Sequence, residues 1–310
     1  MEAPLVIHTA DAAPPVLEGG LFGPLPTREP GRPKRRTVIA KRGRAGGVRR
    51  KPPFLARAVL ALTTAIALSP VLLVIVGAIL VRTGQIDWRV GLGELMLAWP
   101  YKIAMVGVAT GILGVFAALL GGFGRLRGPA LISLLLPLAV MGAFLGVRAW
   151  AGAYPPIHDV ATDWTDPIAF SPALLRARGP QAAPVEPNPI VPEEAGTYIN
   201  RPVSEVNADT CPGARPARLR MSPQLAFQRA RQAVLDDGAA MAVDDPGRGR
   251  FEATATGLLL GFKDDVAVRV RPDAGGARVD VRSVSRNAVS TDLGVNCARV
   301  TRIVRAIQGG

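Results

Sequence analysis

Three long stretches without a charged residue constrain this chain more than any other part of its sequence. They are residues 58–81, 103–122 and 130–147, which hold 24, 20 and 18 residues. About 20 helical residues, each rising about 1.5 Å, cross a hydrocarbon core of about 30 Å. The sequence therefore predicts three transmembrane helices within residues 54–148, and the third stretch is close to the shortest that can span.

The charges on either side of these stretches predict the orientation of the chain. Residues 1–57 hold 12 Lys or Arg against four Asp or Glu, whereas residues 148–310 hold 20 against 18. Basic flanks stay in the cytoplasm, so we expect a cytoplasmic N-terminus. Three spans then place residues 148–310 on the outer side of the membrane, which in a bacterium is the periplasm. If the short third stretch did not insert, two spans would leave those residues in the cytoplasm.

The N-terminal tail, residues 1–53, is rich in Ala, Pro, Gly and Arg and has no apolar period. Such a composition predicts a disordered basic tail. A basic tail can bind nucleic acid, but this one directly precedes a membrane span, and no basic fold interleaved with aromatic residues accompanies it. We interpret the tail as a topology signal, and we expect the lipid bilayer, but no nucleic acid, as a partner.

The predicted spans contain few polar residues. These are Thr63, Thr64, Ser69, Thr110 and Ser133. Proton and ion pathways through membranes use ionisable side chains, so we interpret the spans as an anchor or a partner-binding element. In the second span, small residues permit a close contact with another helix; they are Gly107, Gly111 and Gly114.

The C-terminal third, residues 222–310, has the patterns of an α+β domain. Ser222 and Pro223 are typical of the start of a helix, and the strands that follow alternate strictly between apolar and polar residues. The predicted elements are a helix over 222–237, strands around 251–256, 266–271 and 279–282, and a helix from about Leu293 to Ile307. The sequence predicts an antiparallel sheet flanked by helices, with one apolar face and one charged face.

Two further predictions concern the ends of this domain. Residues 149–221 are interpreted as an extended linker, because the stretch Pro172–Pro192 is rich in Pro and Ala. The last helix is expected to be capped by Thr291 or Asp292. Its arginines are expected to face away from the apolar stripe; they are Arg299, Arg302 and Arg305.

Three motifs in the C-terminal half resemble a known family. They read IHDVATD at 157–163, DDVAVRV at 264–270 and VDVRSVSR at 279–286, the last followed by DLGVN at 292–296. In this order they are similar to motifs of domain-of-unknown-function family 1499 (DUF1499), over about half of the chain. The resemblance implies a domain without an established reaction, and a chain similar to the three-span bacterial inner-membrane members of that family.

The polar residues of these motifs are the candidate site. They are His158, Asp159, Asp163, Asp264, Asp265, Arg269, Asp280, Arg282, Ser283, Ser285, Arg286, Asp292, Asn296 and Arg299. Arginines can grip a carboxylate or phosphate while aspartates orient it. The same residue types also form caps, turns and cross-strand ion pairs, which is the interpretation we favour.

Other chemistry finds less support in the sequence. His158 is the only histidine of the domain, so neither a metal centre nor a nucleophilic triad is predicted, and we expect no cofactor. Cys211 and Cys297 both lie in the predicted periplasmic half, where a disulfide would suit the compartment. A buried free thiol at Cys297 is the alternative, since it lies on the apolar stripe of the last helix.

Together these patterns predict a multi-pass membrane protein that presents a periplasmic α+β domain for binding or scaffolding. Its partner would be an envelope component or another membrane protein. The alternative function is that of a membrane-anchored enzyme, hydrolytic in class, using the Asp and Arg cluster.

Overall fold

The structure is a computed structural model that describes residues 54–122, 124–192, 197–287 and 289–309. The predicted disordered tail, residues 1–53, lies outside the described residues. Three long helices come first along the described chain: α1 (Phe54–Arg82), α2 (Trp99–Leu120) and α3 (Arg127–Ala151). A π-helix, Val90–Ala98, leads directly into α2.

All three helices are long and apolar enough to cross a membrane. The candidate spans are Arg57–Arg82, Val90–Leu120 and Gly124–Ala151, with mean hydropathies of 2.6, 2.4 and 2.4. The third span is longer than the 18 uncharged residues at its centre, because the helix continues through Arg127 and Arg148 at its two ends. Long basic side chains at helix ends can reach the polar interface. The prediction of three helices long and apolar enough to span a membrane is confirmed.

Small and hydroxyl residues mediate the contacts between these helices. Gly107 faces Pro137 of α3, and Gly111 lies against the α3 backbone at Leu134. The Thr63 hydroxyl of α1 donates to Ser133 Oγ at 3.4 Å. The close helix contact predicted at the glycines is thus present, with α3, at two of the three, since no described residue beyond its own helix approaches the Cβ position of Gly114 within 4 Å.

Replacing Gly111 by alanine should weaken the packing of α2 on α3. An ideal Cβ there would lie 2.7 Å from Leu134 Cα and 2.8 Å from the Ser133 carbonyl oxygen, so the two backbones must separate, at a cost of about 1–3 kcal/mol. The measurement is the SDS fraction at which helical circular dichroism of the full chain is lost. Gly114→Ala is the matched control, and equal midpoints for the two variants would contradict the prediction.

The C-terminal domain is built on one antiparallel sheet. Its strands are β1 (Asp159–Ala161), β2 (Ala217–Leu219), β3 (Ala240–Asp245), β4 (Arg250–Thr256), β5 (Lys263–Asp273) and β6 (Gly276–Ser285). Their order is β1-β6-β5-β4-β3, and β2 pairs with β6 on the same edge as β1, further along the strand. The hairpin β5–β6 forms the centre, with Val268 opposite Val281. The predicted α+β fold is confirmed.

Among the described residues, four α-helices complete the domain: α4 (Pro172–Arg178), α5 (Val203–Thr210), α6 (Pro223–Asp236) and α7 (Val295–Gln308). We call the side of the sheet that carries α6 and α7 the helix face. The apolar residues of the alternating strands point to this face, where Phe227 of α6 meets Phe251 of β4 edge-to-face at 5.3 Å. Ile303 and Ile307 of α7 are buried in the same core.

The interpretation of residues 149–221 as an extended linker differs from the structure. This segment supplies β1, β2, α4 and α5 to the domain. Within the Pro-rich stretch, Ser171 Oγ accepts from the Leu174 N–H and starts α4, with Pro172 in its first turn. Proline in the first helical turn removes no hydrogen bond, because the N–H groups of that turn have no partner within the helix. Pro172, which argued for an extended chain, therefore permits a short helix.

Residues 162–192, which we call the cover segment, lie over the second side of the sheet, the cover face. A small apolar cluster joins Ile168, Phe170 and Leu174 to Ala267 and Val284 of the strands. This face was expected to be charged and outward.

The charged cover face is in fact buried. Glu252, for example, is 3% exposed, and the Ser171 N–H and hydroxyl both donate to its carboxylate at 2.6 Å. A buried carboxylate needs such donors.

The start of the last helix also differs from the prediction. The helix begins at Val295, after Leu293 and Gly294 adopt left-handed backbone angles, with φ of 56° and 75°. Asp292 Oδ2 still accepts from the Asn296 N–H at 2.8 Å. Arg299, expected to face away from the core, is buried instead. Its guanidinium pairs there with Asp237 and Asp264.

Candidate functional site

The sheet divides the candidate residues between its two faces, because successive residues of a strand point to opposite sides. On the helix face lie Asp264, Ser283, Ser285, Asp292, Asn296 and Arg299. On the cover face lie Asp159, Asp163, Asp265, Arg269, Asp280, Arg282 and Arg286. His158 contributes its backbone carbonyl, which accepts from the Ser285 N–H at 2.9 Å. The candidates therefore form several clusters instead of one pocket.

The helix-face cluster is a continuous buried network. The Ser283 hydroxyl donates to Asn296 Oδ1 at 2.5 Å, and Asn296 Nδ2 donates to Ser285 Oγ at 2.9 Å. Ser285 in turn donates to Asp264 Oδ1 at 2.6 Å, and Arg299 Nη2 donates to Asp264 Oδ2 at 2.8 Å. All five residues are buried. This network attaches α7 to the end of the β5–β6 hairpin.

Asp292 borders this network with an altered acidity. Burial raises the pKa of its carboxyl, and the negative charge of nearby Asp264 adds to the increase, although the N–H groups of Asn296 and Gly294 donate to it. A carboxyl of this kind can act as an acid in catalysis. The adjacent hydroxyls of Ser283 and Ser285, however, are bound to Asn296 and Asp264 inside the core.

On the cover face, Arg282 and Asp159 form a buried bidentate pair. Arg282 Nε donates to Asp159 Oδ1 at 3.0 Å and Nη2 to Oδ2 at 2.5 Å. The remaining donors of the guanidinium reach the carbonyl oxygens of Ile168 and Glu186 in the cover segment, at 3.0 and 2.6 Å. Burial raises the pKa of Asp159 despite the hydrogen bonds and charge of Arg282. Arg282 thus connects β6, β1 and the cover segment.

A second cover-face cluster surrounds Asp265, which is fully buried. Arg178 Nη1 donates to it at 2.7 Å, Arg286 donates through Nη2 and Nε at 2.7 and 2.8 Å, and the Thr254 hydroxyl donates at 2.7 Å. Arg178 was missed by sequence reasoning, because it lies in the stretch interpreted as extended. Two guanidiniums share one carboxylate here, so the cluster has a positive charge in excess.

The third cluster places three arginines around Asp163 and Asp280. Arg278 donates to both carboxylates, at 2.7 and 2.8 Å, while Arg271 and Arg269 reach Asp280 at 2.9 and 3.2 Å. Sequence reasoning selected Arg269 and missed the other two arginines. Their positions at alternate residues of the hairpin were the available signal, since such residues share one face.

Replacing Asp163 by asparagine should lower the free energy of unfolding at pH 7 by about 1–3 kcal/mol. Burial alone would raise the pKa of Asp163, but donation from the Thr165 hydroxyl and the N–H groups of Asp166 and Thr165, with the charge of Arg278, lowers it below its ordinary value. A carboxyl whose pKa is lowered on folding stabilises the folded protein at pH values above its pKa in the unfolded chain. This stabilisation is lost as the pH falls through the pKa of the carboxyl in the folded protein.

The full chain should therefore lose stability below about pH 4. The free energy of unfolding of Asp163→Asn should fall less steeply over the same pH range. Urea midpoints of the domain measured by pulse proteolysis at several pH values test this. Asp236→Asn, at an exposed position on α6, is the control. If the stability of the native chain and that of Asp163→Asn fell equally steeply with falling pH, the stabilising role of the Asp163 carboxylate would be contradicted.

The two cysteines form a disulfide, Cys211–Cys297, with an S–S distance of 2.02 Å. It joins the end of α5 to α7 across 86 residues of sequence. Of the two alternatives drawn from the sequence, the structure adopts the paired one. Among the residues that the structure describes, no group of three His, Cys, Asp or Glu side chains is arranged to hold a metal ion.

A groove of about 440 Å³ lies where the domain meets the membrane helices, and we call it the junction groove. Its walls combine basic residues with apolar ones; they include Arg178, Lys263, Arg286, Val81, Trp88 and Phe262. Trp88 and Phe262 pack edge-to-face at 5.8 Å. Sequence reasoning did not find this groove, because its walls come from segments far apart in the chain.

The structure thus combines three helices that are long and apolar enough to cross a membrane with an α+β domain that is held together by buried ion pairs. Residues 159–307, which form the C-terminal domain, match the family described as "Protein of unknown function (DUF1499)". The match begins at the first residue of β1 and includes the cover segment, and it confirms the resemblance drawn from the three motifs. No curated protein and no solved structure matches the chain.

Proposed function

We propose that this protein is a bacterial inner-membrane anchor that presents its α+β domain in the periplasm, where the domain binds or scaffolds a component of the cell envelope. The observation that carries the proposal is the Cys211–Cys297 disulfide. Disulfides persist in the periplasm and are rare in the reducing cytoplasm. A structural disulfide between α5 and α7 therefore favours the oxidising side of the membrane for this domain.

The distribution of basic residues supports the same orientation. Twelve Lys or Arg precede or begin the first span within residues 1–57. Residues 121–127, which connect α2 to α3 and include the first residue of α3, carry Arg125 and Arg127 and no acidic residue. By the positive-inside rule both segments belong in the cytoplasm, and the odd number of candidate spans then brings the domain to the opposite side.

Binding or scaffolding is favoured over hydrolysis by the way the motif residues are used. Arg282 donates to Asp159 and to two backbone carbonyls, so its donors already have partners. The side chains of the helix-face network are buried beneath α7. A substrate would reach Ser283 or Ser285 only if α7 moved. These polar residues therefore hold the domain together, and a ligand would bind at its surface.

Topology reporters test the placement in cells. Alkaline phosphatase, which is active only in the periplasm, and a green fluorescent protein, which fluoresces only in the cytoplasm, would each be fused after residue 310 and after residue 122. We expect phosphatase activity at 310 and fluorescence at 122, and the second position serves as the internal control. Fluorescence at 310 would refute the periplasmic placement.

A further inference from the structure

We infer that the membrane-facing end of the domain binds an anionic phospholipid of the bilayer that anchors it. Two neighbouring features form the surface: the loop between β4 and β5, residues 257–262, which we call the leucine loop, and the junction groove behind it. The inference rests on the proposed function, because it names the class of envelope component that the domain binds.

The leucine loop lies against the end of the first membrane span. Arg82, the last residue of that span, donates through Nη1 to the Gly257 carbonyl oxygen at 3.0 Å and also to the Leu258 carbonyl oxygen. At Gly261, φ is +70°, and a Cβ there would lie 3.6 Å from the Arg82 carbonyl oxygen. Since a span ends where hydrocarbon meets the headgroups, the loop lies at the level of the lipid interface.

The tip of the leucine loop exposes large apolar side chains. Leu258 is 89% exposed and Leu259 is 72% exposed. Trp88, in the connection between α1 and α2, lies beside the loop and contacts Phe262, and tryptophan prefers the interface of a membrane. Two adjacent exposed leucines next to a span end gain stability by inserting among acyl chains.

The junction groove supplies positive charge just behind these leucines. Arg178 and Arg286 both pair with Asp265, which leaves one charge in excess. Lys263 is exposed at the start of β5, and no carboxylate of a described residue lies within salt-bridge distance of it. The acidic residue of the wall, Asp87, pairs with Arg89 at 3.7 Å.

A net positive groove beside an apolar loop fits one anionic phospholipid. The phosphate would bind Lys263 and lie in the positive field of Arg286, whose own N–H groups donate to Asp265, Thr254 and Ala177. The acyl chains would run past Leu258. Phosphatidylglycerol, whose headgroup carries no amine, is the suitable probe for this charge. Phosphatidylcholine has the same phosphate but a compensating cation, so it isolates the contribution of net charge.

The test is native mass spectrometry of the full chain in a non-ionic detergent, titrated with phosphatidylglycerol or phosphatidylcholine. The native chain should bind the first lipid more tightly. Lys263→Glu should weaken that binding about tenfold or more, as expected for the loss of a charge-assisted contact. Lys263→Gln should weaken it less. Arg305→Glu, a charge reversal at an exposed position of α7, is the matched control and should bind like the native chain.

The apolar half of the surface has its own variant. Leu258→Asp with Leu259→Asp should weaken binding of both lipids, whereas Leu225→Asp, at a leucine of α6 that is 62% exposed, should not. Intact disulfide and unchanged helical circular dichroism will establish that each variant is folded.

Three results would overturn the inference. The first is equal affinity of the native chain for the two lipids. The second is an equal loss of affinity for phosphatidylglycerol in Lys263→Glu and Arg305→Glu. The third is displacement of the lipid by an equal concentration of inorganic phosphate. A fusion result that placed the domain in the cytoplasm would refute the periplasmic proposal and leave the lipid site standing. The two failures are therefore distinguishable.

Discussion

Replacing Arg282 by alanine should lower the free energy of unfolding of the domain by about 3–5 kcal/mol. The substitution removes a side chain that is 2% exposed and leaves the Asp159 carboxylate buried without its bidentate partner. It also removes the donors to the carbonyl oxygens of Ile168 and Glu186. Loss of these two contacts should loosen the cover segment from the sheet.

The loss should depend on pH in a defined direction. The pKa of Asp159 is already raised by burial, and removal of Arg282 should raise it further. A carboxyl with a raised folded pKa destabilises the protein as the pH rises from the unfolded pKa through the folded one. The difference in the free energy of unfolding between the native chain and Arg282→Ala should therefore be larger at pH 8 than at pH 5.

Pulse proteolysis of the full chain in membranes, at increasing urea, would measure this loss. Arg305→Ala, an exposed arginine of α7, is the control and should shift the midpoint little. Arg282→Met combined with Asp159→Leu should recover part of the stability, because it removes both buried charges. If Arg282→Ala and Arg305→Ala unfolded at the same urea concentration, the structural role of the pair would be refuted, and a ligand-binding role would become the better explanation.

Replacing Cys211 and Cys297 together by alanine should cost about 4 kcal/mol. The bond closes a loop that contains α6 and the strands β2 to β6, and its two ends are 86 positions apart in the sequence. A cross-link over so long a loop restricts the unfolded chain strongly. The variant should unfold at a lower urea concentration in the same proteolysis assay.

A reducing agent supplies the control for this second prediction. It should lower the midpoint of the native chain toward that of the double variant, and it should leave the variant itself unchanged. If reductant had no effect on the native chain while two free thiols were found after unfolding, Cys211 and Cys297 would not be paired in the isolated protein.

Local periodicity was sufficient to predict much of the fold. Charge-free stretches of 18 or more residues predicted the three long helices, because helix length and hydropathy depend only on neighbouring residues. Alternation around Phe251, Val268 and Val281 predicted the central strands and their apolar face, because the side-chain period of a strand is two. The predicted start of the last helix was two residues too early, because Leu293 and Gly294 adopt left-handed angles that residue type alone did not reveal.

The partners of the charged residues could not be predicted in the same way. Arg282 binds Asp159 across 123 positions of sequence, and Arg178 binds Asp265 across 87. No periodicity connects residues so far apart. The same limit hid the junction groove, whose walls join the α1–α2 connection to the β4–β5 loop.

The sequence by itself determined that this chain has three membrane helices and an antiparallel α+β domain, because both follow from patterns between near neighbours. The tertiary structure alone decided that the charged side of the sheet is buried. The cover segment folds over it, removes water from residues such as Asp265 and Asp280, and so makes their arginine partners necessary. Whether a charged strand residue faces solvent or an ion pair depends on what lies above it, and that is set by the whole chain.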